Sequence, residues 1–279
     1  MFGGLRFSMF RALVFTHGGD MHNRIKLAFL AGLVLVTAAA FAENPFAGTW
    51  KVDVSKSKMT GSTVTFASAG AGEVRHTAGG QSYTFKLDGS DATTPIGDTA
   101  QWTKVDDKTW KAVYKRGSTV LDTDTWKLGD DGKTLEVNST GTKPNGDTFN
   151  ENETYARETE GKGFFGKWKS TKVSNVAPNT AQIDANGDDG VVWNIPEIKA
   201  SVALKFDGKE VAPTGPTVPD GLTLSATKTG PRSFTLVEKV KGKPIWKGHF
   251  TVSADGKTMT EVGSPAGVVE PETIVYEKS

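Results

Sequence analysis

Apolar and polar residues alternate along most of the chain with a period of two, which a half-buried β-strand requires and a helix does not. Trp126 and Leu128 share one face while Thr125 and Lys127 share the other, and Phe250 and Val252 repeat the pattern further on. In the first half the alternation predicts strands over 63–66, 82–87, 102–105, 109–115, 120–128 and 135–139. Turn-forming residues punctuate them at Gly70–Gly72, Gly79-Gly80, Asp88-Gly89, Asp106-Asp107, Gly117, Asp130–Gly132 and Asn145-Gly146. Turn signals roughly every 8–12 residues are those of antiparallel hairpins. No run of helical period follows Ala42, so that part of the chain reads as all-β.

The segment before it has a different pattern. From Met21 the chain reads MHNRIK, with Arg24 and Lys26 as a short basic region, then a sixteen-residue apolar run from Leu27 to Ala42. Ala40-Phe41-Ala42 places small residues at the two positions a signal peptidase reads. The run is short for a membrane span, which needs about 20 residues. Residues 21–42 are therefore expected to be a signal peptide, with residues 1–20 an over-extended start and Glu43 the mature N-terminus. There is no cysteine to carry a lipid anchor or a disulfide. The implied location is the periplasm or the outside of the cell, with no membrane attachment after cleavage.

Beyond residue 42 the sequence repeats. Gly48-Thr49-Trp50-Lys51 recurs as Gly166-Lys167-Trp168-Lys169, preceded by Phe46 and Phe164 respectively. Phe85-Lys86-Leu87-Asp88-Gly89 recurs as Leu204-Lys205-Phe206-Asp207-Gly208, and Asp131-Gly132-Lys133-Thr134 as Asp255-Gly256-Lys257-Thr258. The copies close with Thr154-Tyr155-Ala156-Arg157 and Val275-Tyr276-Glu277-Lys278. Two units are expected, 43–158 and 161–279, held close by a short polar linker. About eight to ten short strands per unit fit a small closed up-and-down antiparallel β-barrel with no open sheet edge, or a sandwich of similar strand count.

Charge narrows the partners. The whole chain carries 33 basic and 32 acidic residues; residues 43–279 keep 29 against 31. So balanced a surface lacks the clustered positive field that nucleic acid or an anionic membrane requires.

Phe46-Ala47-Gly48-Thr49-Trp50-Lys51-Val52 resembles the opening strand of the calycins, the superfamily of lipocalins and fatty-acid-binding proteins, and Thr273–Lys278 resembles the closing strand of the latter. The two-copy layout is similar to bacterial secreted lipocalin-like proteins. The resemblance implies two tandem lipocalin-like barrels in which Gly48, Trp50, Gly166 and Trp168 form structural plugs. It also implies that Arg157 and Lys278 pack over those indoles, and that the function is to bind a small molecule. Two features depart from it. Residues 59–72 are Gly/Ser/Thr-rich and strand-like where fatty-acid-binding proteins carry a helical lid. The positions of their carboxylate-binding arginine are held by Glu153 and Ile274.

Strand parity suggests one candidate site. Counting back by twos from Trp126 puts Asp124 and Asp122 on the inward face, and Glu151 and Glu153 share a face with Tyr155. Carboxylates gathered inside a barrel raise one another's pKa unless a cation compensates them. They would suit an amine or a hard metal ion such as Ca²⁺. The alternatives are a bulge that turns them to solvent, or a wide polar barrel mouth. His76 and His249 are too isolated for a His-rich metal site or a recognisable triad. Asp184-Ala185-Asn186-Gly187-Asp188 reads as a hairpin turn, because Asp189 and Ile195 stand where a calcium loop needs Gly and Glu. No cofactor is implied, and an enzyme is the least favoured class. The leading reading is a binding module for a small apolar or cationic molecule. The competing reading is a structural or protein-interaction role, with barrels packed solid by residues such as Trp102, Trp110 and Trp126.

Overall fold

The computed structural model describes residues 44–177, 180–268 and 270–279. The expected signal peptide and the upstream segment lie outside the described residues. Among the described residues the fold is all-β, apart from one 3-10 turn at Pro196–Ile198.

A first short strand, β1 (Gly48–Val52), is followed by β2 (Thr63–Gly70), β3 (Glu73–Ala78), β4 (Gln81–Lys86), β5 (Asp88–Thr93) and β6 (Thr99–Asp106). Next come β7 (Thr109–Arg116), β8 (Thr119–Leu128), β9 (Thr134–Thr142), β10 (Thr148–Arg157) and β11 (Gly166–Ser174). The remaining strands are β12 (Thr180–Ala185), β13 (Gly190–Ile195), β14 (Ala200–Lys205), β15 (Leu222–Gly230), β16 (Ser233–Val240), β17 (Lys243–Val252), β18 (Thr258–Pro265) and β19 (Glu272–Lys278). Every turn predicted in the first half separates two of these strands except Asp88-Gly89, which opens β5 itself. The alternation on β8 holds as expected, with Asp122, Asp124, Trp126 and Leu128 inside.

The strands form two nearly closed antiparallel barrels. Barrel 1 is a ten-stranded sheet in the order β4-β3-β2-β11-β10-β9-β8-β7-β6-β5, and barrel 2 a nine-stranded sheet in the order β14-β13-β12-β1-β19-β18-β17-β16-β15. β1 pairs with β12 and β19, whereas β11 pairs with β10 and β2. The folded units are thus not the contiguous halves 43–158 and 161–279: each half gives its first strand to the other. The physical reason is the short run between β10 and β11. It closes a hairpin, with the Glu158 amide donating to Lys167 O at 2.8 Å, so β11 returns along the strand it has just left. The segment expected to link two barrels is a turn within barrel 1. Barrel 1 is therefore continuous in sequence, from β2 to β11, and is inserted into barrel 2 after that barrel's first strand.

Neither barrel is fully closed, which corrects the expectation of no open edge. The ladder breaks between β4 and β5 in barrel 1 and between β14 and β15 in barrel 2, where the Lys-Leu-Asp-Gly and Lys-Phe-Asp-Gly repeats lie. In barrel 2 the loop after β14 covers the break, pairing Val211 with Leu224 and Thr214 with Ser201. In barrel 1 the break stays open as a cleft of about 570 Å³ with Tyr83, Phe85 and Ala92 among its lining residues.

Each barrel has its own apolar core, and the exchanged strands belong to the core they enter. Phe164 and Trp168 join Trp102, Trp110 and Trp126 in barrel 1; Phe46 and Trp50 join Trp193, Phe234 and Phe250 in barrel 2. Phe164 stacks on Trp110 with ring centroids 4.1 Å apart, and Phe46 meets Phe234 edge-on at 4.9 Å. Ile96, from the loop between β5 and β6 of barrel 1, is buried in the core of barrel 2.

Candidate functional site

The two plugs have the same construction. Trp50 and Trp168 are fully buried, and each indole N–H donates at 2.8 Å to the carbonyl of the phenylalanine four residues earlier, Phe46 and Phe164. Arg157 lies over Trp168 at 4.0 Å from the ring centroid, and Lys278 lies over Trp50 at 5.4 Å. The cations sit over indoles as the resemblance implied, but each over the indole of the other sequence copy, because the strands are exchanged. Gly48 and Gly166 adopt φ of +138° and +126°. A side-chain carbon at Gly48 would collide with Lys278 Cε, and one at Gly166 would lie 2.9 Å from Arg157 Nη1. The Arg157 guanidinium also donates to the carbonyls of Gly132 and Phe165, at 2.7 and 2.6 Å, and to that of Gly163. These contacts tie Gly48, Trp50 and Lys278 together in barrel 2, and Gly166, Trp168 and Arg157 in barrel 1.

The acidic residues predicted from parity gather inside barrel 1. Asp122 and Asp124 are fully buried and Glu151 is 4% exposed. Register places Ala112, Asp124, Ser139 and Glu151 in one row across β7, β8, β9 and β10, with Asp122 opposite Tyr114. Ser139 Oγ donates to Asp124 Oδ1 at 2.5 Å, and the Ala177 amide donates to Glu151 Oε1 at 2.9 Å. Asp124 Oδ2 is buried with no hydrogen-bond partner. Glu153 is half-buried and lies next to an irregularity in the β10–β11 register, where Ser62 Oγ donates to it at 3.3 Å. Tyr155 is buried, stacked on Trp126. A bulge does occur at the start of β8, between the Tyr114–Asp122 and Lys115–Val120 pairs. It buries both Leu121 and Asp122 rather than turning the acids outward.

Burial dominates the electrostatics. Removal from water, reinforced by the neighbouring Asp122, lifts the Asp124 carboxyl from 3.8 to about 7, and burial raises Asp122 as well. Lys143, in the turn between β9 and β10, is 5% exposed; burial lowers it to about 8 against the pull of Glu197, Asp147 and Glu151. Towards the break in the sheet, the Tyr83 and Tyr114 hydroxyls are 3.3 Å apart, and the Trp102 indole N–H donates to Tyr83 at 3.0 Å. Among the described residues, no group of three or more His, Cys, Asp or Glu is arranged to hold a metal ion.

Several inward polar groups escaped the parity argument. In barrel 2, Glu238 and Glu261 are fully buried and Glu272 is 5% exposed, with Tyr276 OH donating to Glu261 Oε2 at 2.7 Å. The alternation Met259, Glu261, Gly263 on β18 carried that signal. Lys143 carried none, because it lies in a turn. Asp98 and Arg116 form a bidentate pair at 2.6 and 2.7 Å, and Arg116 also donates to Thr217 O of barrel 2. His76 is a core residue packed on Phe66 and Tyr83, while His249 is exposed beside Thr235. Of the Asp184–Asp188 stretch, Asp184 and Ala185 end β12 and Asn186 to Asp188 lie in the β12–β13 hairpin turn.

No family model, curated protein or solved structure matches the chain.

Proposed function

We propose that the protein is an exported, lipocalin-like binding protein that holds a small molecule at the acidic end of barrel 1, with barrel 2 as its support. The barrel fold is compatible with this role. The observation that favours it is the difference between the two barrels at positions equivalent by the repeat. Barrel 1 has Asp122, Asp124 and Ser139 where barrel 2 has Trp246, Gly248 and Gly263. The Trp246 indole lies over both glycines: a side-chain carbon at Gly248 would be 3.1 Å from its Nε1, and one at Gly263 would be 2.6 Å from its Cζ2. Barrel 2 fills this end with an aromatic ring, whereas barrel 1 lines it with short polar side chains.

Export rests on the basic region, the apolar run and the Ala-Phe-Ala site of residues 21–42. Intact mass of the protein from its native host is expected to correspond to a chain beginning at Glu43. A mature chain retaining Leu27–Ala42 would make it membrane-anchored instead.

The binding role is tested by thermal shift of the mature protein with three ligand classes: amines (butylamine, phenethylamine, putrescine), carboxylates (phenylacetate, laurate) and neutral apolar compounds (hexanol, indole). A ligand at 100 times its dissociation constant adds about 2.7 kcal/mol to the folded state. At least one class is expected to raise the melting temperature, with the effect lost in Ser139→Leu, which extends an apolar side chain into the row. The aromatic packing in barrel 1, where Phe85 stacks on Trp102 at 4.3 Å, favours a second reading, a solid interaction module. The absence of a shift from every class would establish that reading.

A further inference from the structure

We propose that the break in barrel 1 is a peptide-binding site, which takes an extended segment of another polypeptide as an added strand along β4. The site lies at the sheet edge, and what the acidic row holds has no bearing on it. Gly79 and Gly80, at φ of +55° and +74°, make a two-residue turn closed by the Ala78–Gln81 pair. Hydrogen-bonded and non-hydrogen-bonded pairs alternate from there, so Ser82, Thr84 and Lys86 fall in non-hydrogen-bonded pairs with β3. Their amides and carbonyls point away from β3, into the cleft. On the far wall the Thr94 amide donates to Asp98 O at 2.8 Å, so the same alternation turns the backbone of Asp91 and Thr93 towards the cleft. Among the described residues β4 pairs with β3 alone and β5 with β6 alone. An unpaired strand edge is a template for another strand.

Barrel 2 shows what this gap accepts. Counting along the repeat from Asp88-Gly89 and Asp207-Gly208, Ala92 corresponds to Val211, Thr94 to Pro213 and Pro95 to Thr214. Ser82 likewise corresponds to Ser201, which exchanges both backbone bonds with Thr214, at 2.9 and 2.8 Å. A stretch of extended chain therefore seals barrel 2, with Val211 packed on the core and Pro213 buried. Barrel 1 cannot copy that seal, because Pro95 has no amide to donate and Ala92 is smaller than Val211. The Thr94 hydroxyl, on a residue lining the cleft, is buried with no hydrogen-bond partner among the described residues.

The shape of the cleft selects the occupant. The free edge of β4 faces β5 and not open solvent, so a second folded barrel cannot bring its own edge alongside, whereas a single extended segment can enter. The floor is built from buried Tyr83, Phe85 and Ala92, and the walls from exposed Ser82, Thr84 and Thr93. Apolar inside and polar outside is the pattern of a strand position in a barrel. The segment that fits carries apolar side chains at alternate positions and keeps its backbone amides free for pairing.

The test pans random octapeptides displayed on phage against the mature full-length protein, then follows the enriched sequences as synthetic peptides by fluorescence anisotropy and hydrogen exchange. Peptides with alternating apolar residues are expected to be enriched, and to slow exchange at the amides of Ser82, Thr84 and Lys86. Two analogues, methylated at the odd or at the even backbone amides, separate the two edges of the peptide. At least one of them is expected to bind at least about tenfold more weakly, or about 1.4 kcal/mol. Thr84→Pro removes a donor that faces the cleft and serves no bond to β3, a place where an edge strand tolerates proline, and is expected to cause a similar loss. The methylated peptides need no variant, so a Thr84→Pro chain that fails to fold leaves the result readable. Failure to enrich any peptide, or binding indifferent to amide methylation, would overturn the proposal. Slow exchange of the three β4 amides in the free protein would overturn it as well, since the edge would then be paired within the chain. Protection that grows with protein concentration alone would make a second copy the occupant and overturn it too.

Discussion

At the scale of the residue, the molecule keeps its strain in a few buried groups. Asp124 is the clearest. Its carboxyl is held near 7 in the fold but ionises near 3.8 when exposed, so between those values the folded state binds more protons than the unfolded one. Stability therefore falls as pH rises from about 4 to about 7 on this account, and levels off above. Asp124→Asn removes that dependence. In denaturant titrations the variant is expected to match the wild type near pH 4 and to exceed it above pH 7, by at most about 4 kcal/mol, each tenfold change in proton affinity being worth about 1.4 kcal/mol. A wild type whose stability rises through this window would mean that the carboxyl is compensated. The plugs make a second residue-scale prediction. Trp50→Ala and Trp168→Ala are each expected to cost about 3–5 kcal/mol, the usual penalty for truncating a buried aromatic. Arg157 and Trp168 should be coupled in a double-mutant cycle by about 0.5–2 kcal/mol, while Arg157 and Trp50 should show almost none. Coupling of Arg157 to Trp50 instead would show that the strands are not exchanged.

At the scale of the element, the exchanged first strands decide which fragments can fold. Fragment 59–177 contains β2 to β11, all ten strands of barrel 1, and is expected to give β-type circular dichroism and cooperative melting. Fragment 175–279 lacks β1, leaving β12 and β19 without the strand between them. It should gain cooperativity only when a peptide spanning 44–57 is added. The half-repeat 43–158 lacks β11 and can complete barrel 1 only by placing β1 in its position. A fragment 175–279 that folds without the peptide would show that β1 is dispensable to barrel 2.

At the scale of the whole molecule, nesting joins the two barrels into one cooperative body. The chain crosses between them after β1 and again after β11, Lys58 pairs with Thr273, and Lys169 bonds Glu270 at 2.9 Å. Ile96 of barrel 1 sits in the core of barrel 2, and its loop is tied down by the Asp98–Arg116 pair. A single unfolding transition is expected in calorimetry. Ile96→Ala, on a barrel 1 loop, should lower it by about 2–5 kcal/mol without splitting it. Two separated transitions in the wild type would mean that the barrels unfold independently.

Much of this was legible in the order of residues. Period-two alternation located the strands and the inward side of β8, so Asp122 and Asp124 could be placed inside a barrel from Trp126 alone, and turn chemistry marked where the strands end. These are local properties, set by the pleat and by the conformations that glycine and aspartate permit. The repeat likewise identified two equivalent units and their plugs. What only the tertiary structure decided is the partner of each first strand. Phe-x-Gly-x-Trp is the same signal in both copies, so β1 and β11 carry no local information about which barrel to enter. The choice is made by connectivity, because the short turn after β10 returns β11 to its own neighbour and leaves barrel 2 to be completed by β1. The break in each sheet, the Glu153 irregularity and the burial of Lys143 arise in the same way, from contacts between segments distant in sequence.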